Sequence, residues 1–282
     1  MDFTSASLLL YAGFGCLAGL LSGLFGIGGG VVIVPFLAWQ FTEQQVPDRF
    51  VMVVAVATSL ATVAITSVSA VYAHHRLGAV HWGTVGRLAP GILLGAVIGS
   101  MLAEHLPTLW FKLIFAVFLL WVALRMLGTP APKEQHPWHP ALTLMGAAGL
   151  VIGLISAVLG IGGGTLSVPF LTRIRFPLRN AVAISSACGF PIAVASTLSY
   201  ILLGSRQVGL PPEMLGYIHL PGFVGIICGS VVSAPLGARL AHGLPTAQLK
   251  KLFALLLLFI GGKLLWQTGP LWKELPVHRL LT

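Results

Sequence analysis

The sequence predicts an all-α fold, a polytopic transmembrane helical bundle of two homologous repeats. Each repeat is a glycine-broken or re-entrant first segment followed by three spanning helices. Three observations predict this: apolar runs of membrane-crossing length, a scarcity of charge, and one glycine-rich motif that occurs twice.

The apolar runs come first. Phe50 to Ala73, His81 to Ala103, Leu109 to Leu127, Ala181 to Leu203 and Leu249 to Leu265 approach or exceed the roughly 20 residues that cross a hydrocarbon core of about 30 Å. Of 282 residues 56% are hydrophobic and 8% charged, and mean hydropathy is +0.94, whereas soluble domains carry about a quarter charged residues. No stretch between the runs is long enough for a separate soluble domain of ~50 residues, so the chemistry belongs inside the bilayer. The net charge of +9 comes from basic residues scattered through short loops. That pattern fits topology determinants and lipid headgroup contacts and argues against nucleic acid as a partner. Cys16, Cys188 and Cys228 all lie in apolar segments without a CxxC pair, which suits small core residues and not disulfides or metal ligands. Met1 to Ser7 lacks the basic flank of a cleavable signal, so the first segment is expected to be retained.

The repeat organises the chain. Gly19 to Leu37 reads GLLSGLFGIGGGVVIVPFL and Gly153 to Leu171 reads GLISAVLGIGGGTLSVPFL, identical at 12 of 19 positions without a gap. Further on, Ala57-Thr58-Ser59 stands opposite Ile184-Ser185-Ser186, and Pro90-Gly91 opposite Pro221-Gly222. Pro107, Lys112 and Phe115 pair with Pro245, Lys250 and Phe253. The expected units are residues 1–128, a Pro-rich linker 129–140 that is solvent-exposed, and residues 141–282.

The broken run, Ser7 to Phe41, would be about 52 Å long as one helix, far beyond a single crossing. It must bend or break at Gly26-Ile27-Gly28-Gly29-Gly30, because clustered glycines are poor helix formers. Two topologies follow. Straight passage makes the halves parallel and splits fourteen basic residues six to eight between the faces. Doubling back makes the halves inverted and carries Arg173, Arg175 and Arg179 to the linker's face, a nine-to-five split. The second is the stronger positive-inside bias, and it is the expected arrangement, with the linker cytoplasmic.

Unwound backbone at membrane depth is tolerated only where it is buried in protein or lines a watery cavity. Two such breaks imply one shared site. Past Gly30 and past Gly164 the chain can restart as helix, presenting unpaired N–H groups and a partial positive charge. That is an anion site without a charged side chain, of the kind discontinuous helices form in secondary transporters. Its candidate residues are Gly28, Gly29, Gly30 and Val31 with Gly162, Gly163, Gly164 and Thr165. Glycines in membrane helices also serve as plain packing points; repetition of the pentad before Val-Pro-Phe-Leu favours the site. No Lys-Ser/Thr follows the glycines, so this is not a nucleotide loop.

Thr58, Ser59 and Thr62, with Ser185 and Ser186, read as lying near the starts of the next helices, where they can donate to an oxyanion or bond their own backbone. Asn180 reads as a helix cap. Arg87 lies inside an apolar helix and His219 within a residue or two of the equivalent place. Both are candidates because intramembrane ionisable groups mark function, although an arginine near a helix end also snorkels. None of the seven acids falls at a helix centre, so the cavity should be neutral to positive and carry no cation or proton relay. His74, His75 and His81 form a loop cluster without acidic or cysteine partners, and no metal site is expected.

On Gly26 to Gly30 with Pro35, on Gly160 to Gly164 with Pro169, and on the Thr58-Ser59 and Ser185-Ser186 pairs, the chain resembles the sulfite exporter TauE/SafE family of membrane permeases, also called the toluenesulfonate uptake permease group. The resemblance covers nearly the whole chain. It implies transport of sulfite, sulfoacetate, sulfonates or related organic anions, usually in bacterial inner membranes; no cofactor is expected. The expectation is therefore a secondary transporter of a small anion, multi-pass in a bacterial cytoplasmic membrane, with the lipid bilayer as partner and a homodimer compatible with it. The alternatives are an anion channel and a non-transporting assembly factor. An enzyme is not expected, since no nucleophile stands with a base or metal cluster.

Overall fold

The computed structural model describes residues 5–25, 28–128, 140–211, 213–243 and 246–268. The linker residues 129–139, Gly26, Ile27 and Pro245 lie outside the described residues. The fold is a helical bundle: α1 (Ser5–Phe25), α2 (Gly30–Glu43), α3 (Asp48–Arg76), α4 (Trp82–Glu104), α5 (Thr108–Gly128), α6 (Leu142–Leu159), α7 (Gly164–Arg173), α8 (Leu178–Gly204), α9 (Leu220–Gly243) and α10 (Thr246–Thr268). A two-strand hairpin, β1 (Met214–Leu215) with β2 (Ile218–His219), precedes α9. Among the described residues six helices, α3, α4, α5, α6, α8 and α9, are long and apolar enough to cross a membrane.

Both broken runs do break. The short helices after each break also end alike. Val46 N–H donates to Phe41 O while Gln45 takes a φ of 58°, and Phe176 N–H donates to Leu171 O while Arg175 takes 69°. This left-handed stop is followed each time by proline, Pro47 or Pro177, which opens the long helix α3 or α8.

Side-chain register gives the helix directions. Gln44 donates to the Tyr11 hydroxyl and Phe36 stacks on Phe14 at 3.6 Å, so α2 runs back along α1. In α1, Gly15, Gly19 and Gly23 meet Ile226, Ser230 and Ala234 of α9 in the same order, so these two helices run side by side in one direction. In α4, Gly91, Gly95 and Gly99 meet Gly146, Leu150 and Leu154 of α6, again in one direction. Without side-chain bulk the backbones approach closely, which is how membrane helices associate when no water drives them together. Arg49 reaches Val208 O at one end of α3, and Asn180 donates to Ala79 O near the other, so α3 and α8 are antiparallel. They form the middle of the bundle, with 83% of the most apolar stretch of α3 buried.

The sequence halves are therefore interleaved. α1 packs on α9, from the other half, and α6 packs on α4. α2 and α3 complete one cluster, α7 and α8 the other, and α5 lies against α10.

Candidate functional site

The site is built where the two breaks meet. α1 stops at Phe25 and α2 restarts at Gly30, after Gly28 and Gly29 at φ of 73° and 74°. Side chains other than glycine avoid that region, and two consecutive left-handed residues are essentially a glycine property. In the second half Gly160 caps α6 at 69° and Gly163 opens α7 at 79°. The first bonds of α2 run from Val32 and Ile33 to Gly29 O at 3.0 and 3.2 Å; those of α7 run from Leu166 and Ser167 to Gly163 O at 3.2 and 2.8 Å. The amides of Gly30, Val31, Gly164 and Thr165 thus have no acceptor within their own helices. Pro35 and Pro169, one turn on, have no N–H for the Val31 and Thr165 carbonyls.

The breaks converge. A Cβ on Gly30 would collide with Gly160 O, and one on Gly28 would lie 2.8 Å from Gly162 Cα. On α8, a Cβ at Gly189 would lie 2.7 Å from Gly162 O. Main chain touches main chain here, and all the glycines concerned are buried. No gap separates Gly28 from Gly162 or Gly30 from Gly160, so a ligand would sit beside these contacts and not between them.

Two sets of hydroxyls surround the junction. One is committed to the fold: Ser59 donates to Gly160 O at 2.9 Å, Thr58 Oγ1 accepts His219 N–H at 2.9 Å, and Thr62 donates to Ser59 O at 2.7 Å. Thr66 bonds Thr62 O at 2.9 Å and Ser230 Oγ at 2.8 Å. The other set is buried without a protein partner: Ser156, Thr165, Ser167, Ser186 and Ser196. Ser185 is fully buried in α8 beside them.

His219 is a helix cap. It is buried, and its Nδ1 accepts Gly222 N–H at 3.1 Å, which satisfies a first-turn donor of α9 in the manner of an N-cap side chain. Its ring also stands edge-on to Phe41 at 5.0 Å, and Nε2 lies 3.9 Å from Glu213 Oε2. Arg87 is exposed on α4, and the structure does not bring it to the junction.

Several sequence expectations change. Thr58 and Ser59 are not near the start of a helix: α3 begins at Asp48 and buries them well along its length. Asn180 does not cap α8; it is already inside the helix, which follows Pro177, and it donates to Ala79 O at 3.0 Å. His74 and His75 lie in the last turn of α3 and not in a loop. The pairing of Pro90-Gly91 with Pro221-Gly222 fails, because Pro221 and Gly222 are in the first turn of α9 while Pro90 and Gly91 are in the third of α4. Gly229, packed on Ala12 O, takes the place of Gly91 on Gly146 O. His219, directly before α9, then corresponds to His81, directly before α4, and not to Arg87. Counted from Pro47 and Pro177, Ser59 corresponds to Gly189, and each of these touches the second break. Sequence reading also missed Ser156, Ser167 and Ser196. Ser156 was visible as an identity with Ser22 in the repeated motif; Ser167 was visible only as a departure from it.

A family model described as Sulfite exporter TauE/SafE matches residues 11–264. A probable membrane transporter protein of Haemophilus influenzae is 37% identical over 248 residues, covering 87% of this chain and 93% of its own. Probable membrane transporter proteins of Methanocaldococcus jannaschii, 27% identical over 81% of each chain, and of Bacillus subtilis, YunE, 24% identical over 93% of this chain and 98% of its own, are similar along their length. No solved structure matches the chain.

Proposed function

The chain belongs to the sulfite exporter TauE/SafE family, and from that premise we propose that this multi-pass membrane transporter is a secondary transporter for a small sulfur oxyanion such as sulfite or a sulfonate, acting in a bacterial cytoplasmic membrane. The observation that carries the proposal is the contact between the two breaks. Two helix starts whose first amides have no acceptor in their own helices meet in the protein interior among hydroxyls, and helix starts stabilise negative charge without a cationic side chain.

The directions of the helices support the inverted reading of the halves. α2 doubles back on α1, and α3 opposes α8. The nine-to-five charge split then applies, with the linker on the positive, cytoplasmic face. In this reading α1, α2, α3 and α9 form one rocking unit and α4, α6, α7 and α8 the other. Each unit mixes both sequence halves, because the close glycine packing of α1 on α9 and of α4 on α6 resists separation. The α3–α8 contact and the glycine junction are where the units slide and expose the site alternately to each side.

Flux decides the matter. Gly29→Val and Gly163→Val, each at a left-handed residue opening a half-helix, should abolish sulfite flux in proteoliposomes while the protein stays membrane-inserted. Undiminished flux in both variants removes the proposal. An anion channel instead predicts non-saturating flux without counter-transport.

A further inference from the structure

We infer that the anion is held mainly by the second break: the buried hydroxyls of Ser156, Ser167 and Ser196, with Thr165, form a neutral hydrogen-bonding pocket against Gly163 at the start of α7, and that pocket takes an oxyanion. The inference rests on the transporter reading above and names the part of the junction that binds.

The two repeats differ in chemistry exactly where they agree in shape. Thr165 and Ser167 stand where the first repeat has Val31 and Ile33, both buried and aliphatic. The hydroxyls that α3 brings to the junction are spent on carbonyls or on accepting an amide. Four on α6, α7 and α8 are not. Ser156 is 1% exposed, Thr165 4%, Ser167 0% and Ser196 0%, and none of their oxygens has a protein partner. A buried polar group is normally paired, so four unpaired ones from three helices mark a place for a ligand.

Two of them, Ser156 and Ser167, meet at Gly163. The space a Cβ would fill on Gly163 lies 3.5 Å from Ser167 Oγ and 3.8 Å from Ser156 Oγ. Both hydroxyls therefore flank the same bare Cα, next to the free amides of Gly164 and Thr165. Ser196 lies one turn beyond Ile192, whose Cδ1 touches that Cβ position, and one turn before Tyr200, which donates to Ala157 O. Four residues from each, Ser196 lies on the face of α8 that meets α6 and the second break. Each hydroxyl has one proton to donate, and the donors are carried by three helices. Such a set suits an anion with several acceptor oxygens, sulfite or a sulfonate, over a spherical halide.

The test measures thermal stabilisation of the purified full chain by sodium sulfite, sodium methanesulfonate and sodium chloride, together with sulfite flux in proteoliposomes. Wild type should be stabilised by the oxyanions and not by equal chloride. In the Ser156→Ala/Ser167→Ala double variant the half-saturating sulfite concentration should rise about tenfold or more, since hydrogen bonds to a charged group are lost. Thr165→Val, which restores the first repeat's side chain, should raise it too, and this variant stands alone if the double variant does not fold. Thr66→Ala, from the committed set, should lower the unligated midpoint and leave half-saturation in place. Unchanged half-saturation in the serine double variant and in Thr165→Val overturns the pocket and leaves the transporter reading intact. Equal weakening by Thr66→Ala overturns the asymmetry. A wild-type chain that neither carries nor is stabilised by any anion removes both.

Discussion

Replacing Gly28 by alanine tests whether the junction depends on bare backbone. Gly28 sits at a φ of 73°, where an L side chain costs about 1–2 kcal/mol. Its Cβ would lie 2.8 Å from Gly162 Cα and 2.9 Å from Val63 Cγ1, and forcing an extra methyl into a packed site costs roughly 1–3 kcal/mol. Together these destabilise the observed conformation by about 2–5 kcal/mol. Gly13 supplies the contrast, because it is helical and a Cβ there meets nothing within 4 Å. Alanine at that site should instead stabilise by about 0.5–1 kcal/mol. Thermal unfolding of both variants in detergent, followed by tryptophan fluorescence, measures the difference. At roughly 2–4 °C per kcal/mol for chains of about this size, Gly28→Ala should melt at least ~5 °C below Gly13→Ala. Sulfite flux should fall only in the Gly28 variant. Midpoints within about 2 °C of one another would refute the claim that the two breaks pack main chain against main chain.

Two further outcomes follow from the side chains at the junction. Ser59→Ala leaves Gly160 O without its 2.9 Å donor, and an unmet buried acceptor costs about 1–3 kcal/mol. A lowered thermal midpoint in both the presence and the absence of sulfite is expected, and an unchanged midpoint refutes the bond's role in holding the second break. His219→Ala should lose the Gly222 cap at a cost of about 1 kcal/mol, whereas His219→Asn, a good cap residue, should keep most of it. Retention of sulfite flux by the asparagine variant assigns His219 to the fold; abolished flux with normal stability makes it a ligand.

Much of the architecture was legible in the sequence. Apolar run lengths located α3, α4, α5, α8 and α10, because in lipid the backbone must satisfy itself and helices do so within one segment. The glycine pentads located the breaks, because propensity is lowest where glycines cluster. Pairings outside the motif were less secure. Thr58-Ser59 matches Ser185-Ser186 in residue type, about one helical turn from the positions that count equally from Pro47 and Pro177. A slip of three residues returns to nearly the same helix face, so small-residue patterns tolerate it and sequence matching does not detect it. His219 invited a functional reading as an ionisable group in an apolar stretch. Its capping role appears only when the start of α9 is known.

The sequence by itself determined that this chain lives in a membrane, that its motif occurs twice, and that each copy interrupts a helix. These are local properties, set by side-chain hydropathy and by the backbone freedom of glycine. The tertiary structure decided which pieces meet. Only packing shows that α1 of one half lies on α9 of the other, and that Gly28 and Gly30 rest on Gly162 and Gly160. Only packing, too, separates the hydroxyls whose bonds are complete from those left unpaired at Gly163. Hydrogen-bond partners more than a hundred residues apart, such as Ser59 and Gly160, depend on how whole helices cross, and no local rule of sequence encodes that.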